Sequence, residues 1–320
     1  MPKSNPFNSR CLSTEQISTL LELNSAGLSN RKIASRLGIG KSTVNDYLSI
    51  LLPLQHRGTL PKILIFDIET SPEISYHFGR WKVNITEDKV IQRPYMMTWA
   101  AKWLGQPEIV SRKLPDYVEL YKQDPRNDRA LVEDLLALIN EADMVVAHNG
   151  DKFDVSWLRS RILFHNQPPL APNRFYDTLK VSKKLLNVPS HSLKSLCKYF
   201  GLVDKLDNDG FVLWRKCDEG DTQAWIDMET YNVGDIDSLE ALYLILRSHD
   251  PQHPNLSLLG DNNALECHVC GSKDIDEIDK RYYTQVSEFK LYRCGDCGAH
   301  QRKRTSEKTR EQRTNILMPR

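Results

Sequence analysis

The chain has 320 residues, 40% of them hydrophobic and 27% charged, with a formal net charge of +1. The length allows one sizeable core plus one or two small modules. No apolar run reaches membrane-spanning length and the polar N-terminus is unlike a signal peptide, so no membrane span is expected and the expected location is the cytoplasm.

The near-zero net charge hides an asymmetry. Residues 1–60 carry seven Lys/Arg against three Asp/Glu, residues 298–320 carry seven against two, and the middle is net acidic. Basic ends around an acidic centre fit a polyanion-binding protein that holds metal, and fit equally two solvated basic tails. The seven cysteines include Cys267-x-x-Cys270 and Cys294-x-x-Cys297. An odd total with paired spacing points to metal in a reducing compartment rather than to a disulfide framework.

In chain order, residues 1–52 predict a small helical module. A first helix begins at Thr14, a second follows Ser29 as its cap, Gly38-Ile39-Gly40 makes a turn, and a third runs from Lys41 to Leu52. Ala34, the turn glycines and Val44 let two helices cross closely, an arrangement that resembles a helix-turn-helix of the resolvase or transposase type. Lys41, Ser42, Thr43 and Asn45 then begin the recognition helix; a bundle binding a protein partner is the alternative. Residues 53–61 read as a linker.

Residues 62–250 predict the large domain. Strands are expected at 62–69, 95–104 and 108–114, a helix over 128–141, a short buried strand over 144–148, and helices over 151–165, 192–200 and 223–247. Strands first, then alternating helix and strand, indicate an α/β domain with a mixed sheet flanked by helices. Residues 251–264 form a second linker, 265–300 the cysteine module, and 301–320 a basic tail expected to be disordered.

Chemistry concentrates at a few positions. In Ile63-Leu64-Ile65-Phe66-Asp67-Ile68-Glu69-Thr70, two carboxylates interrupt an apolar strand two residues apart, so they share a face. Two oxygen donors on one rigid face suit a hard divalent cation such as Mg²⁺. Further on, Asn149-Gly150-Asp151-Lys152-Phe153-Asp154 leads from a strand into a helix, and Asp154 is expected inside that helix. On the last long helix Tyr231 and Asp235 are spaced i, i+4 and so project together.

Asp-x-Glu on a strand, Asn-x-x-x-Phe-Asp after a second strand and Tyr-x-x-x-Asp on a late helix resemble the three motifs of the DEDD (DnaQ-like) 3′–5′ exonuclease superfamily, whose fold is ribonuclease H-like. The histidine subclass has His five residues before the last aspartate. That position is Thr230, so the resemblance is to the tyrosine subclass. The whole layout, with His253-Pro254-Asn255 ahead of a C-x-x-C ribbon, looks like exonuclease-like proteins of bacteriophages and prophages. The resemblance implies catalytic residues Asp67, Glu69, Asp154, Tyr231 and Asp235. The four acids would hold two Mg²⁺ (or Mn²⁺) ions, with Asp67 bridging, and Tyr231 would orient the attacking water. Asn149 either contacts the terminal nucleotide or caps the following helix. Asp177 reads as structural.

Cys267, Cys270, Cys294 and Cys297 have the spacing of a closed tetrahedral Zn²⁺ site in a zinc ribbon, with small β segments at 281–285 and 289–293 between the knuckles. The expected function is metal-dependent 3′–5′ hydrolysis of nucleic acid, DNA ahead of RNA, with the two flanking modules recruiting the substrate. The alternatives are a structure-specific endonuclease on the same fold and a DNA-binding regulator with an inactive nuclease domain.

Overall fold

The computed structural model describes residues 12, 14–26, 28–41, 43–44, 47–48, 61–79, 81–202, 210–260 and 264–317. They fall into two compact units, one from residues 1–26 and 62–243, the other from 27–61 and 244–320.

The first unit is organised by β1 (Ile63–Thr70), whose apolar first half is buried completely. Near-continuous burial is what a central strand covered on both faces requires. Around it lies a five-stranded mixed sheet. On one side β1 pairs antiparallel with β4 (Met96–Trp103), which pairs antiparallel with β5 (Ile109–Lys113). On the other it pairs in parallel with β6 (Met144–Ala147), which pairs in parallel with β7 (Arg174–Asp177). Between β1 and β4 the chain makes an excursion with a short β2 (Ile74–Ser75) and β3 (Val90–Gln92), paired with each other.

Helices cover the sheet. After the short α3 (Val118–Gln123), α4 (Arg129–Glu141) buries Leu131, Val132, Leu135, Leu136 and Ile139, one face at helical spacing. The Trp99 indole of β4 donates to the Leu131 carbonyl at 3.0 Å. Each such side chain, fully buried, contributes roughly 1.5–3 kcal/mol. Then follow α5 (Asp154–Phe164), α6 (Thr178–Leu185), α7 (Leu193–Phe200), α8 (Phe211–Asp218) and the 25-residue α9 (Thr222–Leu246).

Two buried charges are fully paired, as the cost of burial demands. Lys102 of β4, 2% exposed, reaches Asp237 at 3.0 Å and Glu240 at 2.6 Å on α9. Burial alone would lower its pKa; the two carboxylates reverse this and hold it above the ordinary value. Asp128, fully buried, takes two bonds from Arg161 (2.8 and 2.6 Å), one from the Met96 amide (2.7 Å) and a contact from the His165 ring (2.6 Å).

Near the N-terminus are α1 (Thr14–Ser25), in the first unit, and α2 (Asn30–Leu37), in the second. Ser29 occupies the N-cap position of α2, but its side chain makes no capping bond; its carbonyl accepts from Lys32 and Ile33 instead. Gly38 ends α2 in the left-handed conformation (φ 65°). Of the expected third helix, Lys41, Thr43, Val44, Tyr47 and Leu48 are helical; Ser42 and Asn45 lie outside the described residues. Lys41 is exposed, whereas Thr43 is 2% exposed beside buried Val44.

The second unit also holds a three-stranded antiparallel sheet in which β9 (Glu288–Cys294) lies between β8 (Ile275–Tyr283) and β10 (His300–Arg302). The described part of the tail has short regular elements. It supplies β10 and a short α10 (Arg310–Thr314), opened by reciprocal Thr309–Gln312 capping bonds of 3.2 and 2.9 Å. A polar, basic composition does not prevent a ladder or a cap that needs only backbone and short polar side chains. Among the described residues, no helix is long and apolar enough to cross a membrane.

Candidate active site and thiolate cluster

The pairing of β1 with β6 ends at Ile65, so the segment from Asp67 to Thr70 runs on beyond its parallel neighbour. On the antiparallel side a bulge follows Glu69, where the register with β4 shifts. The C-terminal end of β1 is thus open on one edge, and the carboxylates of Asp67 and Glu69 sit there half-buried. From α9, Asp235 (4% exposed) joins them: one oxygen from each of Asp67, Glu69 and Asp235 lies within 4.8 Å of the others. Oxygens about 2.1 Å from one hard cation stand about 3 Å apart when adjacent and about 4.2 Å apart when opposite, so this trio fits a divalent ion.

Asp154 lies outside that trio. It is the first residue of α5, not an interior one, because the chain turns through residues 148–153 before the helix starts. It is 2% exposed, and its Oδ1 accepts from the Ile68 amide of β1 at 3.3 Å, between the two carboxylate-bearing residues. Burial pushes the Asp154 carboxyl up to about 7; its own and the Ile68 amide oppose this, while the Asp177 charge adds to it. Asp151, three residues earlier, is exposed and faces Lys180 at 3.3 Å.

Asp177 holds the intervening turn. Its carboxylate caps α6 through Leu179 (2.9 Å) and Lys180 (3.2 Å) and also accepts from the amides of Asn149 (2.9 Å) and Asp151 (3.3 Å). Asn149 is in the left-handed conformation (φ 69°), and its carbonyl closes the turn by accepting from Lys152 and Phe153. The N-cap of α5 is Phe153, so Asn149 does not cap the helix with its side chain. Gly150 is required there: a Cβ would meet the Ala147 Cβ at 2.6 Å.

Tyr231 is half-buried one turn before Asp235, with its ring edge-on to Trp214 of α8 (centroids 6.0 Å, planes at 72°). Two neighbours escaped the sequence reading. Asn232, fully buried, donates from Nδ2 to Asp67 Oδ2 at 2.7 Å. The carboxylate only accepts, which settles the amide's orientation. The signal for Asn232 was available, since it stands three residues before Asp235 on one helix face. No local signal marked Trp214, which belongs to a helix absent from the sequence reading.

In the second unit the four cysteine sulfurs lie within 4.8 Å of one another. Cys267–Cys297 and Cys270–Cys294 are each 3.6 Å apart. That is far longer than a disulfide and close to the edge, about 3.8 Å, of a tetrahedron with 2.3 Å Zn–S bonds. The two knuckles are built alike. Gly271 (φ 69°) and Gly298 (φ 75°) each follow the second cysteine and donate to the carbonyl of the first, at 2.7 and 3.0 Å. The His268 ring contacts Gln301 Oε1 at 3.0 Å rather than joining the cluster.

Residues 103–247 match the family model of the RNase H superfamily. The mixed sheet flanked by helices gives the large domain an RNase H-like fold. The matched span contains Asp154, Tyr231 and Asp235, while Asp67 and Glu69 precede it. No curated protein matches the chain. Among solved structures, a family B DNA polymerase from the hyperthermophilic archaeon Pyrobaculum calidifontis is similar, at 14% identity and a TM-score of 0.45. The match covers 71% of this chain and 32% of the polymerase, so the chain spans about a third of that protein. The RNase H-like domain and its family-model match support a nuclease; the acid trio fits a hard divalent ion, and the thiolate cluster fits Zn²⁺.

Proposed function

We propose that the chain is a metal-dependent 3′–5′ exonuclease that hydrolyses phosphodiester bonds of nucleic acid, DNA ahead of RNA. The observation that carries this reading is the convergence of Asp67, Glu69 and Asp235 to within 4.8 Å, with Asp154 bonded to the backbone between the first two. In this reading Asp67, Glu69, Asp154 and Asp235 hold two Mg²⁺ or Mn²⁺ ions. When bound, such ions lower the pKa of the attacking water and offset charge on the leaving oxygen.

The remaining roles belong to the chain. Tyr231 holds the attacking water with its hydroxyl, and Trp214 fixes the ring's direction. Orientation is the role suited to a phenol whose ordinary pKa is about 10. Asn232 keeps Asp67 from rotating away. Zn²⁺ on Cys267, Cys270, Cys294 and Cys297 is structural, because four thiolates leave no open position. The N-terminal helices, as a helix-turn-helix, and the basic tail after the ribbon recruit the polyanion.

The test uses 3′- and 5′-labelled DNA and RNA with and without added Mn²⁺. The expected result is stepwise release of mononucleotides from the 3′ end, abolished in Asp67→Ala. Cleavage that continues when the 3′ end is blocked would favour an endonuclease, and no hydrolysis of any substrate would sink the enzyme reading.

A further inference from the structure

The excursion between β1 and β4 has no part in the scheme above, yet it carries the most exposed aromatic side chains of the first unit. Tyr76 is 75% exposed, Trp81 is 91% exposed and Phe78 is wholly exposed. Large rings are normally buried, and three exposed within six residues need an explanation. Their sequence context is Tyr76-His77-Phe78-Gly79-Arg80-Trp81-Lys82, rings alternating with basic or potentially basic groups. From residue 76 to 85 there is no acid.

The excursion is anchored beside the carboxylates. At its base the Ser71 amide donates to the Tyr95 carbonyl and the Tyr95 amide donates to Ser71 Oγ, both at 2.9 Å. Ser71 is two residues past Glu69, so chain length holds Tyr76 within about 25 Å of that carboxylate. Gln92 (3.1 Å) and the Tyr95 hydroxyl (2.9 Å) donate to Asp218 on α8, the helix whose Trp214 meets Tyr231. The legs also line an open cleft of about 850 Å³, and Trp157 of α5, the helix begun by Asp154, lines it too.

We infer that the described residues 74–79 and 81–92 form a stacking platform for single-stranded nucleic acid, with Tyr76, Phe78 and Trp81 stacking on bases and Lys82 meeting the backbone phosphates. Exposed rings with interleaved positive charge match the two parts of a single strand, its π-faces and its phosphates. A duplex hides those faces, so the platform selects unpaired strands. This deepens the exonuclease reading and rests on it for the substrate's identity.

The test measures binding of the full chain, without added Mg²⁺, to a short fluorescein-labelled oligothymidylate and to an abasic oligonucleotide of the same length. The wild-type chain is expected to bind the base-bearing strand roughly tenfold or more tightly than the abasic one, and Tyr76→Ala/Phe78→Ala/Trp81→Ala is expected to lose that preference. Equal binding of both strands by the wild-type chain overturns the platform without recourse to any variant. So does a triple variant that keeps the preference, including one whose only change is from dimer to monomer in sedimentation, which would assign the rings to self-association. Hydrolysis of thymidine 5′-(p-nitrophenyl phosphate) with Mn²⁺ separates the two readings, because so small an ester does not reach the platform. The triple variant is expected to cleave it as the wild type does. A wild-type chain inert toward it yet selective for bases would sink the hydrolase and leave the platform standing.

Discussion

Among the described residues, two clusters of side chains suited to holding metal are built on opposite plans. The thiolate cluster draws its ligands from two four-residue knuckles, each closed by its own glycine turn, and its sulfurs are largely buried. The carboxylate cluster draws on β1 and α9, with α5 alongside, and joins Asp67 to Asp235, 168 positions apart in the chain. Soft ligands that enclose an ion suit a structural role. Hard ligands at the open end of a sheet suit one that must admit a substrate. Local closure makes the first site independent of the rest of the fold, whereas the second exists only when the sheet and α9 are docked.

The largest expected effect lies in the thiolate cluster. Cys294→Ser should release Zn²⁺ and unfold the ribbon, because binding of a structural zinc is worth roughly 10 kcal/mol of folding free energy. One zinc per chain in the wild type and none in the variant, by chromogenic chelator after denaturation, checks this. Loss of zinc should leave the fold of the RNase H-like domain intact, and its collapse would break the contrast between the two plans.

Next comes Asp67→Asn, which should lower turnover by about a thousandfold or more without changing the circular dichroism spectrum. Tyr231→Phe keeps the ring against Trp214 and removes the hydroxyl; turnover is expected to fall about a hundredfold with an unchanged melting temperature. Asn232→Leu removes the bond to Asp67 and should cost roughly 10- to 100-fold, together with a higher Mn²⁺ concentration for half-maximal activity. A shift in stability alone, with the metal requirement unmoved, would reduce Asn232 to a packing residue.

The smallest effect belongs to the second unit. Burial, with the charges of Arg247 and His268 adding to it, pushes the His253 imidazole down to about 3. Its unfolded counterpart titrates near 6.5, so between these values the unfolded chain binds the proton that the folded one refuses. The contribution is fully present above about pH 6.5 and shrinks by about 1.4 kcal/mol per unit as pH falls toward 3. Denaturant melts from pH 7 to 5 should show this slope in the wild type and a shallower one in His253→Gln.

Legibility in the sequence followed the same division. The knuckles were visible as C-x-x-C pairs because all their geometry is local. Asp-x-Glu and Tyr-x-x-x-Asp were visible as shared faces, through strand alternation and helical spacing. The start of α5 was misplaced by three residues, because the turn held by Asp177 lies 26 to 28 positions from its carboxylate. α8 was missed altogether, and Trp214 with it. The aromatic excursion drew no attention, since a loop's rings look like core residues until burial is known.

The order of residues alone determined the α/β class, the pairing of carboxylates on β1 and the thiolate quartet, since each depends on backbone periodicity or on spacing of a few residues. Only the tertiary structure decided that Asp235 meets Asp67 and Glu69, that Asn232 holds Asp67, and that Asp154 sits against the Ile68 amide. Those contacts depend on where β6 stops pairing and how α9 lies on the sheet, and these are set by packing across the whole domain.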